Sequence, residues 1–408
     1  MEFSPETSLA RTPHFPGSSR QEGRQDPEQN IDFDGDGVPR NRLDGLMTPA
    51  LCGVISESRC VLNGWNVWKG RTQRVCLVLV GLLFGCITLE VGLRGRVVYD
   101  NYRVRQAGTT IPHGKVQAGQ ILLFNESPRL VYDLKPNLDV EFVNVRVQTN
   151  AEGFRDSDHP LARPPQVQHR VVTLGDSYMF GWGVDYQQGF IQIAAGLLPQ
   201  WEFINLARPG YNAAQEVESL KVYGLKYKPD VVIINYIGND TELPLYIQRD
   251  PGDLSASFLL EWLLGRLSRD GLMMTPTIFL DQDKKHFKYE DDPNRVPARY
   301  RDLVGWGAVE RSYQELSQLA QEHHFQVVFL CFPHVDLRAL ELAKKNGFVV
   351  ADFTPNLLQA MRERKTTNFQ NSDLSLPPPD THPSAKLHNL GGTFLAKSLD
   401  QRFPLRTR

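Results

Sequence analysis

The sequence has little of what would mark a metalloprotein, a disulfide-stapled domain or a nucleic-acid binder. Its five cysteines are Cys52, Cys60, Cys76, Cys86 and Cys331, and only Cys331 lies in the C-terminal two-thirds. That part therefore holds no internal disulfide. No CxxC pair or Cys/His cluster has zinc-ligand spacing, so no zinc site is expected. Charge of one sign is missing too, with 45 Lys and Arg against 47 Asp and Glu. Without a basic excess, nucleic acid is not an expected partner. Without an acidic excess, no disordered acidic tail is expected either. There is no internal repeat.

What is present changes along the chain. Residues 1–73 are rich in Pro, Gly, Ser, Arg, Asp and Glu and show no sustained periodicity. Such a segment buries too little apolar surface to offset chain entropy, and it is expected to be disordered. Within it, Asp32-Phe33-Asp34-Gly35-Asp36-Gly37 looks like the opening of a calcium loop. Arg40 and Leu43 stand where further oxygen ligands are needed, so a solvated acidic turn is the better reading.

Residues 74–94 form the next landmark. Val75 to Leu93 is an apolar run with one charge, Glu90, near its end. At about 1.5 Å per helical residue it is long enough to span a bilayer core. Lys69, Arg71 and Arg74 precede it; Arg94 and Arg96 follow. These flanks are nearly symmetric and favour an inside N-terminus only slightly. A cleaved signal peptide, a lipoprotein at Leu83-Phe84-Gly85-Cys86 and a buried core helix are rival readings. The basic borders and the lack of an amphipathic period favour a single membrane span.

Residues 95–408 read as globular. Apolar strand-length runs (Arg170–Leu174, Phe203–Leu206, Val231–Tyr236, Gln326–Phe332, Phe348–Ala351) alternate with helical patterns at 187–198, 213–227, 309–324 and 335–346. That alternation predicts an α/β fold, a parallel sheet covered by helices on both faces. His388–Asp400 reads as a closing helix. Residues 241–300 break the rhythm and read as an insertion over the active-site face. Its apolar stretch Phe258–Leu267 reads either as the lining of an acyl pocket or as a core helix.

Four strings carry chemistry, and each sits after a strand or in a terminal loop, where open parallel sheets bind ligands. Gly175-Asp176-Ser177 places a serine hydroxyl at a strand end; alone it could equally be a helix cap. In Arg208-Pro209-Gly210-Tyr211, Gly210 can bring a bare N–H close to a substrate oxygen, or simply turn the chain. Gly238-Asn239-Asp240 offers a side-chain amide suited to a developing oxyanion. Asp380-Thr381-His382-Pro383 offers an imidazole and a carboxylate to orient it. His388, inside the closing helix, and His334 are the competing histidines.

Taken together, the four strings resemble the SGNH, or GDSL-type, hydrolase family. The resemblance covers roughly 120–405 and makes Ser177 the nucleophile. It assigns the oxyanion hole to the N–H groups of Ser177 and Gly210 and the amide of Asn239, with Gly175, Asp176, Gly238 and Asp240 as motif support. The family's last block is Asp-x-x-His; here Asp380 and His382 stand one residue closer. Asn150-Ala-Glu-Gly-Phe-Arg155 and Leu89-Glu90-Val-Gly-Leu-Arg94 resemble the bacterial membrane-anchored members. The resemblance implies a flavodoxin-like three-layer α/β/α sandwich and no metal or other cofactor. It implies a serine esterase acting on acyl esters of a glycan or lipid. O-acyl transfer to an exported glycan and a non-catalytic glycan-binding module are the alternatives. The expected localisation is a single-pass membrane protein with its domain periplasmic or extracellular.

Overall fold

A computed structural model describes residues 54–107, 111–116, 118–248, 251–252, 254, 257–267, 279–281 and 290–404. The string Asp32–Gly37 lies outside the described residues. By its internal contacts the chain divides into Met1–Arg74 and Val75–Arg408.

The first helix, α1, runs Val54–Ala107. It is described from Val54, inside the segment expected to be disordered, and is continuous with the apolar run. There is no proline between Pro49 and Pro112, so nothing stops a helix seeded by the apolar run from propagating in both directions. From Gly70 to Tyr99 the helix is long and apolar enough to cross a membrane, and its apolar window is not buried against protein. Leu77, Leu83 and Phe84 are all more than half exposed.

The catalytic-domain candidate is built on five parallel strands: β1 His169–Thr173, β2 Trp201–Asn205, β3 Val231–Asn235, β4 Gln326–Cys331 and β5 Val349–Asp352. Their spatial order is β5-β4-β3-β1-β2. All four pairings are parallel, as in Val171 opposite Phe203 on one side and Val231 on the other. This is the flavodoxin-like order, with its switch point between β1 and β3.

The strands are rich in Val and Ile because both of their faces are covered. Val171, Phe203, Ile233, Val328 and Leu330 point into one core, and Val172, Ile204, Val232, Val327 and Phe329 into the other. Neighbours along a strand thus alternate between cores, the period-2 pleat at work. The first core is closed by α3 Phe190–Leu197, α8 Thr354–Glu363 and α9 Ala385–Arg402. The second is closed by α4 Ala213–Ser219, α6 Trp306–His323 and α7 Leu337–Lys345. Truncating a fully buried Ile such as Ile233 to Ala would cost about 2–5 kcal/mol.

The helical pattern at 213–227 is met in three windings. α4 ends at Ser219, a π turn covers Leu220–Gly224 and a 3-10 turn covers Leu225–Tyr227. The expected insertion contains α5 Phe258–Leu267 and an antiparallel pair, Tyr246–Gln248 with Phe279–Asp281. α5 is neither wholly core nor wholly exposed, since Phe258 is buried while Leu260 and Leu263 face outward.

Candidate active site

The chain leaves β1 through Leu174 and Gly175 and enters a four-residue helix, α2 Ser177–Phe180. Gly175 is required by crowding, because a Cβ there would lie 2.1 Å from Met179 Cγ. Asp176 caps α2, its carboxylate accepting from Tyr178 N–H at 2.9 Å. Ser177 therefore leads the helix, where its own N–H has no intrahelical carbonyl to meet. Behind it, Arg155 is buried and clamps the far end of α2, donating to the carbonyls of Gly181 at 2.6 Å and Val184 at 2.8 Å. That gives the Asn150–Arg155 string a structural role, with a cation at the carbonyl end of the helix that Ser177 opens.

The second string turns at Pro209-Gly210. Tyr211 N–H bonds to Arg208 carbonyl at 3.2 Å and Gly210 has φ +76°, the geometry of a type II turn. A Cβ at Gly210 would meet Leu245 Cβ at 2.4 Å, so the start of the insertion sits directly against this turn. From below, Tyr132 donates its hydroxyl to Pro209 carbonyl at 2.8 Å. The buried Arg208 pairs with Asp133 at 2.9 Å. Asn212 then opens α4 with a capping box: Gln215 N–H donates to its side chain at 3.1 Å, and its own N–H donates to the Gln215 side chain at 3.2 Å. Its amide also donates to Glu242 carbonyl at 2.8 Å, which fastens the second string to the third.

The third string is a tight turn. Asp240 accepts from Ile237 N–H at 2.7 Å, and Asn239 projects beside it to donate to Tyr211 carbonyl at 3.1 Å. Asn239 also hydrogen-bonds Asp176, so the amide expected at the oxyanion is already held between the first two strings.

The fourth string meets the first. His382 Nε2 lies 2.8 Å from Ser177 Oγ, and its Nδ1 lies 2.7 Å from Asp380 Oδ1. The same Asp380 oxygen accepts His382 backbone N–H at 3.0 Å. The short Asp-x-His spacing is thereby explained: an Asx-type turn lets one carboxylate oxygen hold both the ring and the backbone of the residue two places on. The loop is fastened at its base by Leu376 N–H to His382 carbonyl at 2.8 Å and Ser384 N–H to Leu374 carbonyl at 2.9 Å.

Two aromatic residues complete the site, and sequence reasoning missed both. Trp182 donates its indole N–H to Asp380 Oδ2 at 2.9 Å. Its ring stacks on His382 with centroids 5.2 Å apart and planes at 23°. Tyr178 flanks the imidazole at 5.3 Å. The available signal was an aromatic on either side of the first turn after the nucleophile. The competing histidines fall elsewhere. His388 is fully buried in α9, accepts Phe190 N–H and is pushed down to about 3 by burial and by Arg155 and His382, so it is a neutral core residue. His334 is exposed.

The carboxylates of the site are tuned in opposite directions. Burial pushes Asp380 up, but hydrogen bonds from the His382 ring and backbone and from Trp182 outweigh it and hold it at about 2. Asp176 is raised, chiefly by burial. Glu216 in α4 and Asp240 are raised well above the carboxylate range, by burial first and then by neighbouring carboxylates. Among the described residues, no group of three His, Cys, Asp or Glu could hold a metal ion.

No family model and no curated protein matches the chain. Solved structures do. The chain is similar to hydrolases of the G-D-S-L type. One is a putative lipolytic protein of the G-D-S-L family from Desulfitobacterium hafniense DCB-2, at 14% identity over 56% of this chain and 99% of that one, with a TM-score of 0.33. Another is the acetyl xylan esterase AlAXEase, at 16% identity over 56% and 99% of the two chains, with a TM-score of 0.33. A third is a catalytic mutant of Axe2, an acetylxylan esterase from Geobacillus stearothermophilus. It is 14% identical over 59% of this chain and 98% of that one, with a TM-score of 0.33.

Proposed function

We propose that residues 95–408 form a serine esterase with Ser177 as nucleophile, His382 as general base and acid, and Asp380 as the group that orients it. The observation carrying this reading is the unbroken relay from Ser177 Oγ through both His382 nitrogens to Asp380. The Ser177 hydroxyl donates to Nε2, and Nδ1–H donates to Asp380, which stays ionised because of its low pKa. As Oγ attacks the ester carbonyl, His382 takes the proton and Asp380 stabilises the imidazolium. The carbonyl oxygen becomes an oxyanion and is met by the N–H groups of Ser177 and Gly210. Asn239 supplies the third donor once its bond to Tyr211 carbonyl is exchanged for the oxyanion. His382 then protonates the leaving alcohol, and a water molecule repeats the sequence to release the acid.

In this reading α1 crosses a membrane once and the domain lies outside the cytoplasm, where its substrate is an acyl ester of a glycan or lipid. The test uses the full chain in detergent, with a fluorophosphonate probe and p-nitrophenyl acetate. Covalent labelling at Ser177, lost in Ser177→Ala together with turnover, is expected. A folded wild-type chain that neither labels nor turns over would leave a binding module. Labelling with acyl release only to a glycan hydroxyl would make the enzyme a transferase.

A further inference from the structure

Among the described residues, the insertion is tied to the membrane-span candidate around Glu90 and Arg94. Glu90 of α1 accepts three hydrogen bonds from the start of α5: Phe258 N–H at 3.1 Å, Leu259 N–H at 2.7 Å and Ser257 hydroxyl at 3.2 Å. A carboxylate at a helix N-terminus satisfies donors that have no carbonyl inside the helix. One turn along α1, Arg94 pairs with Glu90 at 2.7 Å and donates to Pro251 carbonyl at 2.8 Å. Its guanidinium also lies over the Phe258 ring, 4.6 Å from the centroid. The single acidic residue of the apolar run is thus neutralised and fully engaged, which lets it sit at a bilayer edge.

This clamp fixes the height of α5. The uncharged part of the apolar run ends before Glu90. Arg94 and Arg96 follow it, and Val97 is buried against protein, although Val98 and Tyr99 beyond it are exposed again. Glu90 and Arg94 therefore mark the boundary on the domain side. Leu260 and Leu263 follow Phe258 within one and a half turns, so they lie within about 10 Å of that boundary at about 1.5 Å rise per residue. They are 55% and 43% exposed, and Leu254 on the preceding loop is 88% exposed. Exposed leucines at that height are what an interfacial helix presents to the acyl boundary of a bilayer.

We propose that α5 is a membrane-docking helix: Leu254, Leu260 and Leu263 enter the lipid leaflet from which α1 emerges. The occupant of this surface is the bilayer itself, because the surface is continuous with the span that the bilayer surrounds. The consequence is a fixed orientation. The insertion runs from the Asn239 turn past Leu245, which touches Gly210, to α5. A docked α5 thus ties the oxyanion turns to the membrane surface. The proposal rests on α1 being a span and is independent of the esterase chemistry.

The experiment places nitroxide labels in the full chain, with Cys52, Cys60, Cys76 and Cys86 replaced by Ser and the buried Cys331 kept, reconstituted in phosphatidylcholine/phosphatidylglycerol nanodiscs. Labels go at Leu260→Cys and Leu263→Cys, and at Leu83→Cys as the span control. Collision with oxygen and with a water-soluble nickel chelate is read for each. The expected result is a several-fold preference for oxygen at all three sites. Glu90→Ala should shift Leu260 and Leu263 towards nickel and leave Leu83 unchanged. Nickel-accessible labels at Leu260 and Leu263 with an oxygen-accessible Leu83 overturn the docking and leave the span intact. Low collision with both reagents at α5, the mark of a protein contact, also overturns it. A nickel-accessible Leu83 removes the span and the docking together.

Discussion

Two sets of carboxylates lie within the same site and behave in opposite ways. Asp380 sits in a half-open loop and is surrounded by donors: an imidazole, a backbone N–H and an indole. Glu216 and Asp240 sit beneath the strand ends and are nearly fully buried, and the charges that act on them are neighbouring carboxylates rather than cations. In the proposed mechanism the first carries charge during the reaction. The second is pushed towards the protonated form by burial, and Asp240 also accepts Ile237 N–H at the turn bearing Asn239. The contrast shows that donors, rather than exposure alone, decide whether a carboxylate stays ionised.

The comparison breaks most completely at the reactive end. Ser177→Ala and His382→Ala should each lower ester turnover by about 10⁴-fold or more, with the circular dichroism spectrum unchanged. Asn239→Ala should cost about 10²–10³-fold in kcat with a smaller change in KM, since the lost contact exists only with the oxyanion. Trp182→Phe keeps the ring stacked on His382 and removes one donor to Asp380. A drop of about tenfold is expected, the worth of one hydrogen bond of about 1.5 kcal/mol to a charged group.

The smallest effect concerns stability, and it separates the two sets by sign. Glu216 and Asp240 bind protons more tightly folded than unfolded, so their contribution is lost as pH rises from the ordinary carboxylate range through their folded pKa values. Asp380 does the reverse, and its contribution is lost only as pH falls from about 4 towards about 2. The domain should therefore melt at a lower temperature at pH 8.5 than at pH 6. Glu216→Gln should flatten that slope by a few degrees while turnover at pH 7 stays within a few-fold. An unchanged slope would mean that Glu216 carries no extra proton in the fold.

The sheet was legible because its strands are apolar on both faces, and runs such as Val231–Ile234 read as buried strands in any context. The four strings were legible because each follows a strand or precedes a helix. Three features were not. The reach of α1 beyond the apolar run goes with an absence, the lack of proline, more than with composition. The change of winding after Ser219 leaves no periodic trace over so few residues. Trp182 enters through a contact with a residue almost 200 positions away. The doubtful spacing of Asp380 was legible as a departure, but only coordinates show that two residues suffice when one oxygen serves both the ring and the backbone.

That turn has a mechanical consequence. In the proposed mechanism the histidine and the carboxylate that orients it are carried on one short hairpin, pinned at its base by Leu376 and Ser384. Because one turn holds both residues, a displacement of this hairpin would change the Ser–His gap before it changed the Asp–His separation. Wear, heat or an ill-fitting substrate would open the machine at a single seam.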